Sequence, residues 1–108
     1  MSRETPPEHT SDGRYVIIAG RRWRASDPDL PADTDARLRT HLMAARRAVG
    51  VALRAHDEEA EREARSRVQT AKVALGERGT PWWEQTSAER RARWLKGLAM
   101  LDGGPGPP

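Results

Sequence analysis

Two stretches with apolar residues at helical spacing, joined by a short polar corner, constrain the fold of this chain more than any other feature. The stripe of residues 32–55 comprises Leu38, Leu42, Ala45, Val49 and Leu53. The stripe of residues 57–78 comprises Ala60, Ala64, Val68 (or Arg67), Ala71 and Leu75. Such stripes are typical of amphipathic helices, and a short connection makes two helices antiparallel. We therefore predict a helical hairpin, with Asp57 as the N-cap of its second helix and Gly79 as the C-terminal cap.

The charge pattern of the two stretches favours this pairing. Residues 37–54 carry five arginines and no acid, whereas residues 57–63 carry five acids and one arginine. Folding the chain at His56 brings three arginines towards four acids: Arg46, Arg47 and Arg54, and Asp57, Glu58, Glu61 and Glu63. We expect these charges to set the register of the helices, as flanking charges do in coiled coils. A basic helix for nucleic acid is the alternative interpretation.

A β-hairpin is predicted over residues 14–25. Tyr15–Ile18 is a β-branched and aromatic run, and Ala19-Gly20 supplies a tight turn before Arg21–Ala25 returns. With a two-residue turn, one face carries Val16, Ile18, Arg21 and Trp23, and the other carries Tyr15, Ile17, Arg22 and Arg24. A two-stranded hairpin is barely stable alone, so it must pack on the helices or pair with another chain.

A third helix is predicted over residues 87–100, because Thr86 and Glu89 have the spacing of a capping box. The polar segments 1–13 and 102–108 are predicted to be disordered tails. The predicted fold class is therefore α+β and predominantly α, with one small domain at 14–101. Its elements are an N-terminal β-hairpin (14–25), a long antiparallel helical hairpin (32–55 and 57–78) and a short C-terminal helix (87–100).

Four tryptophans supply much of the core material, because only 23 residues are apolar and larger than alanine. Each tryptophan buries roughly 150–250 Å². We expect Trp82 or Trp83 to pack under the hairpin beside Trp23 and to close it over the base of the long helices. The alternative is that the tryptophans form an exposed anchor for a protein partner or a stacking surface for a base.

Arginine makes up 17 of the 19 basic residues, which raises nucleic acid as a partner. Codon bias in a GC-rich genome gives the same composition, and a net charge of +3 is small for a polyanion-binding protein. The candidate interaction surface comprises Arg21, Arg22, Trp23, Arg24, Trp82 and Trp83. A candidate secondary basic patch comprises Arg90, Arg91 and Arg93.

The sequence contains no pattern that indicates catalysis. It has no cysteine, no phosphate-binding glycine loop, no serine-nucleophile motif and no His-Glu-x-x-His. His9, His41 and His56 are scattered. No cofactor, metal or catalytic residue is expected. With no apolar run near 18 residues and no leader, we expect a cytoplasmic protein that does not engage a membrane.

Three blocks of the chain resemble a family of small uncharacterised bacterial proteins that are common in high-GC bacteria. The blocks are YVIIAGRRWRASDPDLP, LMAARRAV and RVQTAKVALGERGTPWWE, between Tyr15 and Glu84. The resemblance implies a short β-hairpin followed by helices. Some members carry the automatic label "biopolymer transporter Tol", which is not transferred because such a transporter needs a membrane segment or a periplasmic address. The resemblance provides no catalytic residue.

The function expected from these observations is a non-enzymatic interaction or accessory module with a protein partner or a second copy of the chain. One alternative is weak, sequence-tolerant binding of nucleic acid through Arg21, Arg22 and Arg24. Another is a small ligand-binding or enzymatic pocket near Trp82 and Trp83.

Overall fold

The fold consists of a small sheet followed by three helices, in a computed structural model that describes residues 8–103. The strands are β1 (Glu8–His9), β2 (Tyr15–Ile18) and β3 (Arg21–Arg24), and they form one antiparallel sheet in that order. The helices are α1 (Ala32–Arg54), α2 (Glu58–Leu75) and α3 (Ser87–Asp102), with a single 3-10 turn at Trp82–Glu84. The predicted α+β, mainly α class is confirmed, and so is the antiparallel helical hairpin of α1 and α2.

The hairpin of β2 and β3 has the predicted register. Val16 pairs with Trp23 and Ile18 with Arg21 across a two-residue turn, so the predicted division of side chains between the two faces is confirmed. Both turn residues, Ala19 and Gly20, have positive φ angles, as a type I′ turn requires.

The prediction of a disordered tail over residues 1–13 is wrong from Glu8 onward. Glu8 pairs with Ile17 and His9 with Val16, so β1 adds a third strand. A tight turn, in which the Gly13 N–H donates to the Thr10 carbonyl at 2.8 Å, leads into β2, and the Thr10 N–H donates to the Tyr15 carbonyl at 2.9 Å. A two-residue strand carries too little hydrophobic pattern to be recognised without its partner. Residues 1–7 lie outside the described residues.

The predicted C-terminal tail, residues 102–108, starts one residue too early in the chain. Asp102 is the last residue of α3, and its carboxylate contacts Arg37 and His41 of α1, which holds the helix end in place. Residues 104–108 lie outside the described part of the chain.

Helix α2 ends at Gly76 and not near the predicted Gly79. Gly76 has φ +87°, and the N–H groups of Gly76 and Glu77 donate to the carbonyls of Val73 and Lys72, which is a Schellman cap. Both glycines are sterically suitable caps, so local sequence does not separate them. Tertiary packing favours Gly76, because the Asp27 N–H donates to the carbonyl of Leu75, the last residue of α2, at 2.9 Å, and Asp27 packs closely against Gly76.

The predicted ion pairs between α1 and α2 are not formed. Among the residues described, Arg46, Arg47 and Arg54 have no ion-pair partner, while Glu61 pairs with Arg65 one turn along its own helix. A pair at i and i+4 is already positioned by its helix, whereas an exposed cross-helix pair must order two long side chains for little gain.

The core lies where α3 crosses α1 and α2. Its buried residues are Leu38, Leu42, Ala71, Ala74, Leu75, Trp94, Leu98 and Leu101. At the distal end of α1, Ala52 is buried and the predicted Leu53 is 49% exposed. The spacing of the predicted apolar stripe averages more than the 3.6 residues of one helical turn. The stripe therefore rotates around α1 and no longer faces α2 at Leu53.

Candidate interaction cleft

The sheet is attached to the helices through the short linker that follows β3. The indole Nε1 of Trp82 donates to the carbonyl of Ala25 at 3.0 Å, and the Asp27 N–H donates to the carbonyl of Leu75 at 2.9 Å. The Arg24 guanidinium donates to the carbonyl of Gly79 at 2.7 Å. The linker is therefore fixed on the C-terminal end of α2, and this fixes the position of the sheet.

A buried ion pair completes this attachment. The carboxylate of Asp27 is fully buried and accepts hydrogen bonds from Arg93 at 2.7 Å and from Arg90 at 3.4 Å. Arg90, Arg91 and Arg93 were predicted to form a secondary basic patch, and no role was predicted for Asp27. That patch is not formed, because Arg90 and Arg93 face Asp27 and only Arg91 is exposed. Their i, i+3 spacing, which places both on one helix face, was the available signal.

The tryptophans divide between the two faces of the sheet. Trp82 is buried and packs edge-on against Trp83, with ring centroids 5.1 Å apart, and Trp83 contacts Tyr15 at 5.7 Å. Trp23 is 41% exposed on the opposite face. The expectation that Trp82 or Trp83 lies beside Trp23 is wrong, because Tyr15 and Trp23 occupy alternate positions of the paired strands and so point to opposite sides.

The face of the sheet that carries Tyr15, Ile17, Arg22 and Arg24, which we call the outer face, is covered by arginines stacked on aromatic rings. Arg22 lies 4.3 Å from the ring centroid of Tyr15, and Arg14 lies 4.7 Å from that of Trp83. Glu8, as the cross-strand partner of Ile17, lies on the same face. These arginines are engaged by neighbouring groups, which reduces their availability to a ligand.

The inner face of the sheet forms one wall of a cleft of about 570 Å³, which we call the sheet–helix cleft. Its apolar wall is formed by Val16, Ile18 and Trp23. Its opposite wall is mainly cationic and is formed by Arg39 and Arg46 of α1, by Lys72 of α2 and by Glu77. Ile18 and Trp23 are both partly exposed there, so the apolar wall is not covered by the rest of the fold.

The two central cations of the cleft have no carboxylate partner. Arg39 pairs with Asp35 at 2.9 Å and lies 3.9 Å from Glu77. Arg46 and Lys72, in contrast, make no ion pair with any residue between 8 and 103. Partial burial lowers the pKa of Lys72, as do the positive charges of Arg78 and Arg46, while Glu77 opposes this. The cleft is thus an apolar surface facing a net positive charge, since Glu77 is the one acid among its lining residues.

A second depression, of about 490 Å³, lies beside Trp82, and Trp83 is not among its lining residues. Its three carboxylates are those of Asp12, Asp27 and Asp35, and each accepts a hydrogen bond or ion pair from a neighbour. The hydrogen bond from Thr10 is the main reason why the pKa of Asp12 lies below its ordinary value. This hydrogen bond favours the ionised form of Asp12.

Comparisons of the chain with protein-family models, with curated proteins and with solved structures gave no match. Across the described residues, none of the helices has the length and apolar character needed to cross a bilayer.

Proposed function

We propose that this chain is a non-enzymatic binding module whose sheet–helix cleft holds an acidic segment of a partner protein. The observation that carries the proposal is the pairing of an exposed apolar wall with two cations, Arg46 and Lys72, that lack carboxylate partners. A carboxylate of the partner would supply the missing counter-charge, and an apolar side chain beside it would cover Trp23.

The chemistry of the cleft favours a protein segment over nucleic acid. The side chains of Val16 and Ile18 match apolar side chains, and nucleic acid has few groups to place there. Arg21 lies 4.6 Å from the ring centroid of Trp23, so its guanidinium is engaged within the protein. The predicted nucleic-acid surface of Arg21, Arg22 and Arg24 is thus drawn into contacts with the protein's own groups.

The resemblance to the family of small bacterial proteins fits an accessory role of this kind. As part of the same proposal the partner is cytoplasmic, since the chain has no cysteine for the disulfides that stabilise many small secreted domains.

Fluorescence anisotropy with short labelled peptides in which pairs of Glu alternate with pairs of Leu, so that an extended peptide carries both residue types on each face, tests the proposal. We expect saturable binding that weakens by about tenfold or more, equal to about 1.4 kcal/mol, in the double variant Arg46→Ala/Lys72→Ala and in Trp23→Ala. The matched control is Arg47→Ala, which removes an exposed and unpaired arginine next to Arg46 that does not line the cleft. It should leave affinity unchanged.

Two outcomes would overturn the proposal. One is the absence of saturable binding to any Glu-Leu peptide when a Gln-Leu peptide of the same length binds equally poorly. The other is binding of a single-stranded oligonucleotide that is stronger than peptide binding and is lost in Arg22→Ala, which would support the nucleic-acid alternative.

A further inference from the structure

Strand β3 forms a free edge of the sheet. The sheet order is β1, β2, β3, so β2 is paired on both sides and β3 on one side only. An edge strand presents unpaired backbone N–H and C=O groups, which another extended chain can pair with.

The register identifies which backbone groups of β3 point outward. The N–H of Ala25 donates to the carbonyl of Arg14 at 2.9 Å, so these two residues form a hydrogen-bonded pair. Such pairs alternate with non-hydrogen-bonded pairs along an antiparallel ladder. The pairs Tyr15–Arg24 and Ile17–Arg22 are therefore of the second kind, and the N–H and C=O groups of Arg22 and Arg24 point away from β2.

On the opposite edge of the hairpin, the outward backbone groups of β2 are already hydrogen-bonded. The carbonyl of Tyr15 accepts a hydrogen bond from Thr10 at 2.9 Å, because β1 covers that edge. In the described part of the chain, no group bonds to the N–H or C=O of Arg22 or Arg24. The sheet thus ends in a short open ladder with two donors and two acceptors, next to the sheet–helix cleft.

We propose that the acidic partner segment binds as a fourth strand on β3. This inference rests on the proposed function and adds its geometry: an extended backbone pairs with Arg22 and Arg24. Side chains of an added strand alternate between the two faces of the sheet. One set then lies beside Trp23 on the cleft side, within reach of Lys72, and the other lies beside Arg22 on the outer face.

Charge complementarity determines which strand fits this edge. The strand carries three arginines, Arg21, Arg22 and Arg24, and no acid. An antiparallel pairing of β3 with β3 of a second copy would place arginines opposite arginines, and like charges directly opposite are destabilising. A strand with acidic residues on both of its faces places carboxylates opposite Arg22 and Arg24 on the outer face and beside Arg21 on the cleft face instead.

Backbone substitution of the peptide tests strand addition separately from side-chain recognition. In a Glu-Leu peptide bound as an edge strand, the N–H groups of alternate residues point towards β3 and towards solvent. One peptide is N-methylated at every residue whose N–H would pair with β3. A second peptide is N-methylated at every residue whose N–H would face solvent. We expect the first peptide to bind about tenfold or more weakly than the parent peptide, a loss of about 1.4 kcal/mol, and the second to bind like the parent peptide.

A matched pair of chain variants tests the same point from the other side. Arg22→Pro removes the outward N–H while sparing the ladder with β2, because an edge strand tolerates proline where the N–H faces solvent. Arg22→Ala removes the side chain and keeps that N–H. We expect Arg22→Pro to weaken peptide binding by about tenfold relative to Arg22→Ala, with the Val16–Trp23 cross-strand contact in the NMR spectrum showing that the hairpin is intact.

The outcomes separate the two proposals. If both N-methylated peptides bind like the parent peptide, strand addition is overturned while acidic-segment binding stands. If no acidic peptide binds at all, both proposals fail. A dimer in light scattering that Arg22→Pro dissociates would identify a second copy as the occupant of the edge and would also overturn the inference.

Discussion

The carboxylate of Asp27 and the guanidinium of Arg93 lie 66 residues apart in the chain and form a buried ion pair with an Oδ2–Nη2 distance of 2.7 Å. Asp27 belongs to the linker that carries the sheet, and Arg93 belongs to α3. The pair joins the N-terminal sheet to the C-terminal helix across the end of α2. The placement of the sheet–helix cleft therefore depends on a contact that neither the sheet nor the helical hairpin makes by itself.

Removal of the Asp27 carboxylate should destabilise the whole fold. Asp27→Ala leaves the buried Arg93 guanidinium without a counter-charge, and breaking a buried pair in this way typically costs about 3–5 kcal/mol. Urea unfolding followed by circular dichroism measures the loss. The matched control is Asp29→Ala, which removes an exposed carboxylate that contacts Arg90 and should cost about 0–1 kcal/mol. Equal losses in the two variants would contradict this prediction.

Two helical glycines should respond in opposite directions to alanine. A Cβ on Gly97 would lie 2.4 Å from the Cβ of Ala74, so Gly97→Ala forces α3 away from α2 and should cost about 1–3 kcal/mol. At Gly50 the nearest atom to an added Cβ is the mobile end of Arg54 at 3.4 Å. Gly50→Ala should therefore stabilise the protein by up to about 1 kcal/mol. Thermal unfolding of both variants checks the signs, and a loss of stability in Gly50→Ala would contradict the second.

Asp102 should stabilise the end of α3 in a pH-dependent way. The hydrogen bond from His41, and after it the charge of Arg37, hold the pKa of Asp102 below its ordinary value of 3.8, while desolvation opposes them. Because the folded pKa is the lower one, this stabilisation is present above pH 3.8 and is lost as the pH falls through the folded pKa.

Thermal unfolding of Asp102→Asn and of the parent protein at several pH values measures this effect. The variant should melt below the parent near neutral pH, and the two melting temperatures should converge below pH 3.8. Glu84→Gln, which removes an exposed carboxylate that forms no ion pair within residues 8–103, controls for general charge effects. A constant difference at all pH values would assign the effect to something other than the ionised carboxylate.

The hairpin turn contains strain that a single substitution should relieve. Ala19 has φ +50°, a left-handed conformation that costs an alanine about 1–2 kcal/mol, whereas Asn-Gly is a preferred type I′ pair. Ala19→Asn should raise the free energy of unfolding by about 0.5–1 kcal/mol. Ala36→Asn, at an exposed position in α1, is the control and should be destabilising by up to about 0.7 kcal/mol. If Ala19→Asn destabilises the protein, the turn is not type I′ in solution.

The elements that were predictable from the sequence are those whose cause is local. The Thr86–Glu89 capping box forms as its spacing predicts, and Asp57 caps α2 by accepting from the Ala60 N–H at 3.0 Å. The register of the hairpin likewise follows from its two-residue turn. In each case the interacting groups are within a few residues of one another, so their geometry is fixed by the backbone alone.

The features that were not predictable depend on contacts between distant segments. The choice of Gly76 over Gly79 as the cap depends on packing against Asp27, and the orientation of Arg93 depends on the same residue. The cleft was missed for a related reason. Its walls come from the sheet, α1 and α2, and no local pattern marks Lys72 as the partner of the Trp23 face.

Binding of an acidic segment should raise the pKa of Lys72. In the free protein, desolvation in the cleft lowers this pKa from its ordinary value of 10.5, and a carboxylate brought next to the ammonium group favours its charged form. Proton uptake on binding then makes affinity fall as the pH rises through the pKa of free Lys72. Lys96 is the only other lysine, so NMR titration of the side-chain Nζ signal in Lys96→Arg reports on Lys72 alone. The Glu-Leu peptide should shift the midpoint upward, and a Gln-Leu peptide should not. An unchanged midpoint in the presence of bound acidic peptide would mean that the segment lies outside the cleft.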